Sequence, residues 1–143
     1  MITGIIPYIV TNGNGQEAVK FYQHALGAEV ISLQTFGEMP QNPKKALPEE
    51  AKNRVLNAQL KIGNARIMLS DTFPGNSYQL GSQVTIAILV SDVKEANEIF
   101  EKLQDGGRVT MTFQETFWSP GYGQLTDKFG VEWQVSTEGQ GNQ

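Results

Sequence analysis

Apolar residues along this chain follow two rhythms, one alternating and one returning every three or four positions, and both halves change rhythm in the same order. Residues 5–10 are an apolar run of strand length that ends in the polar turn TNGNGQ. Behind it Ala18, Phe21, Tyr22, Ala25 and Leu26 share one face of a helix. Asn14 stands at its N-cap with Glu17 three residues on, a capping-box spacing, and Gly27 stops it. The second half repeats the plan: an apolar run at 84–90, Asp92 and Glu95 in the capping positions, then Val93, Ala96, Ile99, Phe100 and Leu103 on one face before Gly106 and Gly107. After each helix the alternation of strands takes over, at 29–36, 54–62 and 65–70 and again at 108–117, 123–127 and 131–136. Each half therefore reads βαβββ.

Turn chemistry agrees with this parsing. Gly63-Asn64 suits a two-residue hairpin, and Gly130 marks a second tight turn; both would join the last two strands of a module. One helix and one sheet face per half must be buried. The expected fold is α+β, with paired βαβββ modules (about 1–80 and 81–137) in one domain, a cupped mixed sheet and the helices outside. Residues 37–53 carry three prolines and little periodicity, which predicts a long loop with a helical turn near 48–52 and leaves open whether it is a lid or a plain solvated excursion. The Gly- and Gln-rich tail, 138–143, is expected to be disordered.

Composition narrows the function classes. The 143 residues are 39% hydrophobic and 18% charged, as in a water-soluble domain, and no apolar run approaches the about 20 residues a bilayer requires. The N-terminal run has neither a basic start nor a small-residue cleavage site, so it reads as a strand, and the expected location is the cytoplasm. With no cysteine, disulfides, thiolate nucleophiles and Cys-based metal sites are excluded. A net charge of -4, with a lysine pair at 44–45 as the only basic cluster, speaks against nucleic acid as a partner. The glycines of TNGNGQ lack the third glycine and the lysine of nucleotide-binding loops, and with the one histidine, His24, placed near the end of the first helix no Ser-His-Asp set can be drawn.

The blocks PYIV, AVKFYQHALGAEV, FGEMP, IMLSD, QETFW and DKFGVEWQV, in this order and at these spacings, resemble the PhnB-like family of the glyoxalase/bleomycin-resistance/dioxygenase (vicinal oxygen chelate) superfamily. The resemblance covers nearly the whole chain. It implies the paired modules described above, a homodimer, and a question about metal, because catalytic members of the superfamily hold a divalent ion through four side chains, usually His, Glu or Gln. Aligned on the first and third strands of each module, this chain offers Ile5 or Pro7, then Asn57, Thr85 and Gln134 at those places. None is ionisable, and neutral oxygens make a poor transition-metal site. Alternation at 56–62 supports the placing, with Leu56, Ala58, Leu60 and Ile62 toward the helix and Asn57 and Gln59 opposite. Likewise Val131, Trp133 and Val135 would face the core, and Glu132, Gln134 and Ser136 the other side. His24, on the first helix, is expected at the surface near the C-terminal end of the dipole. No metal ligand and no cofactor is assigned, although an oxygen-only site drawn from Glu38, Asp71 or Glu115 stays open.

Six aromatics crowd 113–133 in a chain only 9% aromatic: Phe113, Phe117, Trp118, Tyr122, Phe129 and Trp133. Those that face the hollow would give a flat apolar wall with polar tips, suited to an organic ligand. The leading expectation is a metal-independent binding protein for an unidentified small organic molecule, with Tyr8, Phe36, Asn57, Gln59, Trp118, Tyr122 and Gln134 as contacts. The alternative is a lyase, isomerase or dioxygenase-like enzyme in which Glu38 or Glu115, each flanked by apolar residues, acts as base. The methyltransferase label carried by some PhnB-like sequences finds no support in the pattern, which has no Rossmann series and no glycine-rich cofactor loop.

Overall fold

A computed structural model describes residues 1–40 and 46–138 of the chain, which divides into two compact units, Met1–Gln79 and Leu80–Gln143. The N-terminal unit runs β1 (Tyr8–Thr11), α1 (Gly15–Leu26), β2 (Glu29–Thr35), β3 (Val55–Ile62) and β4 (Ala65–Asp71). Its sheet has the order β1-β4-β3-β2, with β1 parallel to β4 and the other pairs antiparallel. The C-terminal unit repeats this as β5 (Ile86–Val90), α2 (Val93–Leu103), β6 (Arg108–Gln114), β7 (Tyr122–Thr126) and β8 (Glu132–Thr137), in the order β5-β8-β7-β6. Both units are thus βαβββ, and the protein is α+β. Among the described residues no helix is long and apolar enough to cross a membrane.

Strand β1 starts three residues later than the apolar run predicts. Pro7 still lends its carbonyl to the Met68 N–H at 3.0 Å, but proline has no N–H of its own to extend the ladder. The helix faces are also slightly rotated from expectation: α1 buries Ala18, Val19, Tyr22 and Ala25, leaving Phe21 and Leu26 half-buried, and α2 buries Ala96, Phe100 and Leu103. Against α1 lie the fully buried Val55, Ala58, Leu60 and Leu69, where each large aliphatic contributes about 1.5–3 kcal/mol relative to exposure.

The predicted phase of β3 fails at one end. Consecutive residues Gln34 and Thr35 of β2 pair with Asn57 and Val55, so Leu56 is an extra residue in a bulge and Val55 takes the buried position instead. Past the bulge the alternation is as expected, with Ala58 and Leu60 buried between the half-buried Asn57 and Gln59. In β8 it holds throughout: Trp133, Val135 and Thr137 are buried and Glu132, Gln134 and Ser136 are not. Gly123 is the strand residue that lets α2 come close, since a Cβ there would lie 2.6 Å from the Phe100 ring.

Two buried carboxylates hold the units together internally. Asn14 makes no side-chain cap for α1; the bonds go to Asp71 at the end of β4, whose Oδ1 accepts from Gly13 N (2.7 Å), Gly15 N (3.0 Å) and Thr11 Oγ1 (2.7 Å), while Oδ2 accepts from Val55 N (2.7 Å). A carboxylate reaching back from β4 supplies more acceptor capacity than an Asn side chain could. Asp127 does the same for the β7–β8 turn, accepting from Phe129 N, Val131 N and the Trp133 indole. Asp92, by contrast, caps α2 as expected, accepting from Glu95 N at 3.0 Å.

The Pro-rich segment leaves β2 through a 3-10 turn at Phe36–Glu38 and returns through another at Glu49–Ala51, within the span where a helical turn was expected. Its ends are bonded to each other, Phe36 N to Arg54 O and Gly37 N to Lys52 O, both at 3.0 Å. The lysine pair at 44–45 and the tail from 139 lie outside the described residues. Glu138, expected in the disordered tail, is instead fixed by its N–H to Val90 O at 2.9 Å.

Candidate functional site

In the C-terminal unit, register brings Ala87, Gln134 and Gln124 abreast on the sheet face opposite the core, and Leu89, Ser136, Tyr122 and Gln114 abreast in the next row. The long polar side chains of these rows bond to one another. Gln124 Nε2 donates to the Tyr122 hydroxyl at 2.9 Å, which donates to Gln134 Oε1 at 2.6 Å. Gln134 Nε2 in turn donates to Thr85 Oγ1 at 2.8 Å, just ahead of β5. A continuous chain of oriented amides and hydroxyls results. Trp118 stands edge-on to the Tyr122 ring with centroids 5.3 Å apart, and Phe117 stands edge-on to Trp118 at 4.8 Å. The aromatic file runs from Phe117, 98% exposed, through Trp118, 45%, to Tyr122, 7%.

A groove of about 420 Å³ opens beside this file, at the start of α2, lined by Asp92, Glu115, Phe117, Trp118, Pro120 and Thr137 among others. The Thr137 hydroxyl is buried without a hydrogen-bond partner among the described residues. Glu115 is exposed here, at the groove, and not enclosed among the apolar residues that flank it in sequence.

In the N-terminal unit the face away from α1 carries Tyr8, half exposed, in register with Met68, which pairs with Gln59, which pairs with Ser32. Asn57 Nδ2 makes a long contact, 3.4 Å, with the Tyr8 hydroxyl. Tyr8, Asn57 and Gln59 therefore share one face, as the alternation predicts. Phe36 is off the strands, in the 3-10 turn, edge-on to Phe73 at 5.6 Å. Glu38 closes that turn, its exposed carboxylate accepting from Thr35 N at 3.1 Å and Thr35 Oγ1 at 3.0 Å. Its role there is a capping box, not a poised base. His24 is exposed in the last turn of α1, as expected.

Gln124 was not among the residues singled out in the sequence. The signal was available: Tyr122, Gln124 and Thr126 alternate with Gly123 and the buried Leu125, but starting the strand at 123 hid the shared face. A second correction concerns equivalence. Because the sheets have the same strand order, β8 corresponds to β4, so Gln134 lies on the fourth strand of its module and matches Met68 and Ser70; Asn57 on β3 has its counterparts on β7.

A profile of the Glyoxalase/Bleomycin resistance protein/Dioxygenase superfamily matches residues 4–135. The chain belongs to this superfamily. It is 34% identical to Protein YjdN of Escherichia coli (strain K12) over 139 residues, 91% of this chain and 92% of that protein. The crystal structure of protein PA1353 from Pseudomonas aeruginosa superposes with a TM-score of 0.84 at 34% identity, covering 96% of this chain and 98% of that one. A PhnB protein from Bacillus cereus, described as a putative 3-demethylubiquinone-9 3-methyltransferase, gives 0.76 at 22% identity over 94% and 99%, a likeness of fold alone.

Membership raises the metal question again, on geometry. Where the first and fourth strands of each unit meet on the open face, the chain presents Thr85 and Gln134 in one unit and Tyr8, Met68 and Ser70 in the other. Hydroxyls, an amide and a thioether do not fit the superfamily's divalent ion, since the set has neither the imidazole that suits Zn, Fe and Ni nor a carboxylate. Among the described residues no three of His, Cys, Asp and Glu come together as ligands. Asp71, kept open as a ligand on sequence grounds, is 5% exposed and has both oxygens engaged by protein donors.

Proposed function

We propose that this chain is a small-molecule-binding member of the superfamily, acting as a cytoplasmic homodimer, that takes its ligand on the open sheet face without the superfamily's metal centre. The observation that carries the reading is the hydrogen-bonded chain from Gln124 through Tyr122 and Gln134 to Thr85, with Trp118 against it. Amides already held in one orientation lose little freedom when a ligand docks, and the indole adds a flat apolar wall beside them. Tyr8, Asn57 and Gln59 are the corresponding contacts of the other unit.

The test is a thermal-shift screen of small organic compounds, followed by calorimetry of hits on the wild type, Tyr122→Phe and Gln134→Leu. Saturable binding that weakens in both variants supports the reading. A library without hits, or hits indifferent to both substitutions, overturns it. Light scattering on the same samples checks the dimer, for which a monomer at micromolar concentration is the adverse result.

A further inference from the structure

Each unit has a corner where the end of its fourth strand meets the turn into its helix, and the same backbone bond marks it in both: Thr72 N to Thr11 O at 2.8 Å in one, Glu138 N to Val90 O at 2.9 Å in the other. The N-terminal unit fills its corner with a cation of its own. Arg54, just ahead of β3, donates through Nη1 to Thr72 O at 3.0 Å and to Thr72 Oγ1 at 3.2 Å. Its guanidinium lies against the turn at Gly13, where an added Cβ would stand 3.1 Å from Nη2.

The C-terminal unit has no such residue. The chain ahead of β7, residues 116–121, carries no Lys, Arg or His, and the corner is the groove of about 420 Å³ already described. Three carboxylates line it, those of Asp92, Glu115 and Glu138, and no basic residue does. Among the described residues none of the three is in a salt bridge. The start of α2 adds about half a positive charge, but Asp92 already caps it and Glu95 stands in its first turn, so the groove is net negative. Phe117 and Trp118 line it with exposed aromatic surface, and such rings attract a cation over their faces. Thr137, at its floor and only 2% exposed, keeps a hydroxyl oxygen that no group among the described residues bonds.

We infer that this groove is a second ligand site, separate from the open sheet face, and that it takes a small organic guanidinium. The head lies among the carboxylates, in the corner where the other unit places Arg54, with an N–H for the Thr137 hydroxyl, and the apolar body lies against Trp118. A planar guanidinium both forks onto carboxylates and stacks on an indole, two contacts that a point-like ammonium does not combine. The volume is within the range that holds a small ligand.

Three probes of one shape test this: 2-phenylethylguanidinium, its neutral counterpart 2-phenylethylurea and the anion 3-phenylpropionate, titrated by calorimetry at neutral pH into the full chain, with Trp118 emission followed in parallel. The guanidinium should bind about tenfold or more tighter than the urea, and the anion more weakly still. Glu115→Gln and Glu138→Gln should each weaken it about two- to fivefold, as loss of an exposed ion pair does, and the double variant more. Added salt should weaken the wild type more than the double variant. Gln134→Leu, on the open face, should leave the affinity unchanged. Circular dichroism and melting curves identify any variant that fails to fold, and the wild-type order of affinities stands as a test without them. A urea that binds as well as the guanidinium, or no loss in the folded double variant, overturns the inference. So does a guanidinium that fails to bind at millimolar concentration, or one lost in Gln134→Leu, which would put the probe on the open face. The binding function proposed above stands or falls separately, on library hits that need Tyr122 and Gln134, and those hits should ignore the acidic substitutions.

Discussion

Asp71 at the end of β4 accepts a hydrogen bond from the backbone N–H of Val55, the first residue of β3, at 2.7 Å, and its other oxygen gathers two N–H groups from the turn into α1. One carboxylate thereby joins three pieces of chain. Replacing it by alanine strands buried backbone donors, and hydrogen bonds to a charged acceptor are worth about 1.5–3 kcal/mol each when broken one-sidedly. Asp71→Ala is expected to lose about 3 kcal/mol or more of stability in urea unfolding, and Asp71→Asn a smaller amount. An unchanged midpoint for the alanine variant would show that the network does not hold the unit.

The same corner constrains Gly15. A Cβ on this residue would come within 2.6 Å of Asp71 Oδ2 and 3.0 Å of Thr11 Oγ1, both tied into the network. Alanine is ordinarily the better helix former, but here the clash should dominate. Gly15→Ala is expected to destabilise by about 1–3 kcal/mol, as overpacking does, in the same denaturation experiment. A stabilised variant would mean that the carboxylate can move aside.

This corner also marks where sequence reading stops. The helix, its Gly27 stop and the Asp92 cap were legible because they depend on residues within one or two turns of each other. Asp71 capping α1 depends on a partner more than fifty positions away, while Asn14 and Glu17 offered a local cap that looked sufficient. The bulge at Leu56 shifted the phase of β3 for a similar reason, since it is set by the pairing with β2 and not by the strand itself. At the site, alternation correctly grouped Gln134 with its face and Asn57 with Gln59. It could not reveal that Tyr122, Gln124, Gln134 and Thr85 bond to one another, because that needs the cross-strand register. Glu38 misled in the opposite way: an apolar neighbourhood in sequence suggested a buried base, yet its partner is three residues away in an exposed turn.

The two tryptophans should be separable by fluorescence. Trp133 is 2% exposed with its indole N–H on Asp127 at 2.8 Å, whereas Trp118 is 45% exposed. In Trp118→Phe the remaining emission should be blue-shifted and resist acrylamide. Conversely, Trp118 should be the indole whose emission responds to ligand. Efficient quenching of the Trp118→Phe protein would contradict the placing of Trp133 in the core.

The carboxylates considered as bases give a further prediction. Glu38 is bound to Thr35 in an exposed turn and Glu115 is exposed at the groove, so Glu38→Gln and Glu115→Gln should each change stability by no more than about 0.5 kcal/mol, the range of ordinary surface substitutions. Binding of library hits should be unaltered in both. Loss of turnover of an identified substrate on either change, with the fold intact, would favour the enzyme alternative.

The metal prediction follows from donor chemistry alone. Thr85 Oγ1 and Gln134 Nε2 are 2.8 Å apart, so these two side chains already sit as close as two ligands of one ion, but they offer neutral atoms that hold one another instead. Chain incubated with Mn²⁺, Ni²⁺ or Zn²⁺ and dialysed should retain far less than one ion per molecule by elemental analysis. Exchanging both residues, as Thr85→His with Gln134→Glu, places an imidazole and a carboxylate at the same spot, and these are ligands that Zn²⁺ and Ni²⁺ accept. The double variant should therefore retain measurably more of either ion than the parent. Stoichiometric metal on the parent chain would mean that the neutral residues are not what decides, and a metal-assisted reaction would then become the better reading of the site.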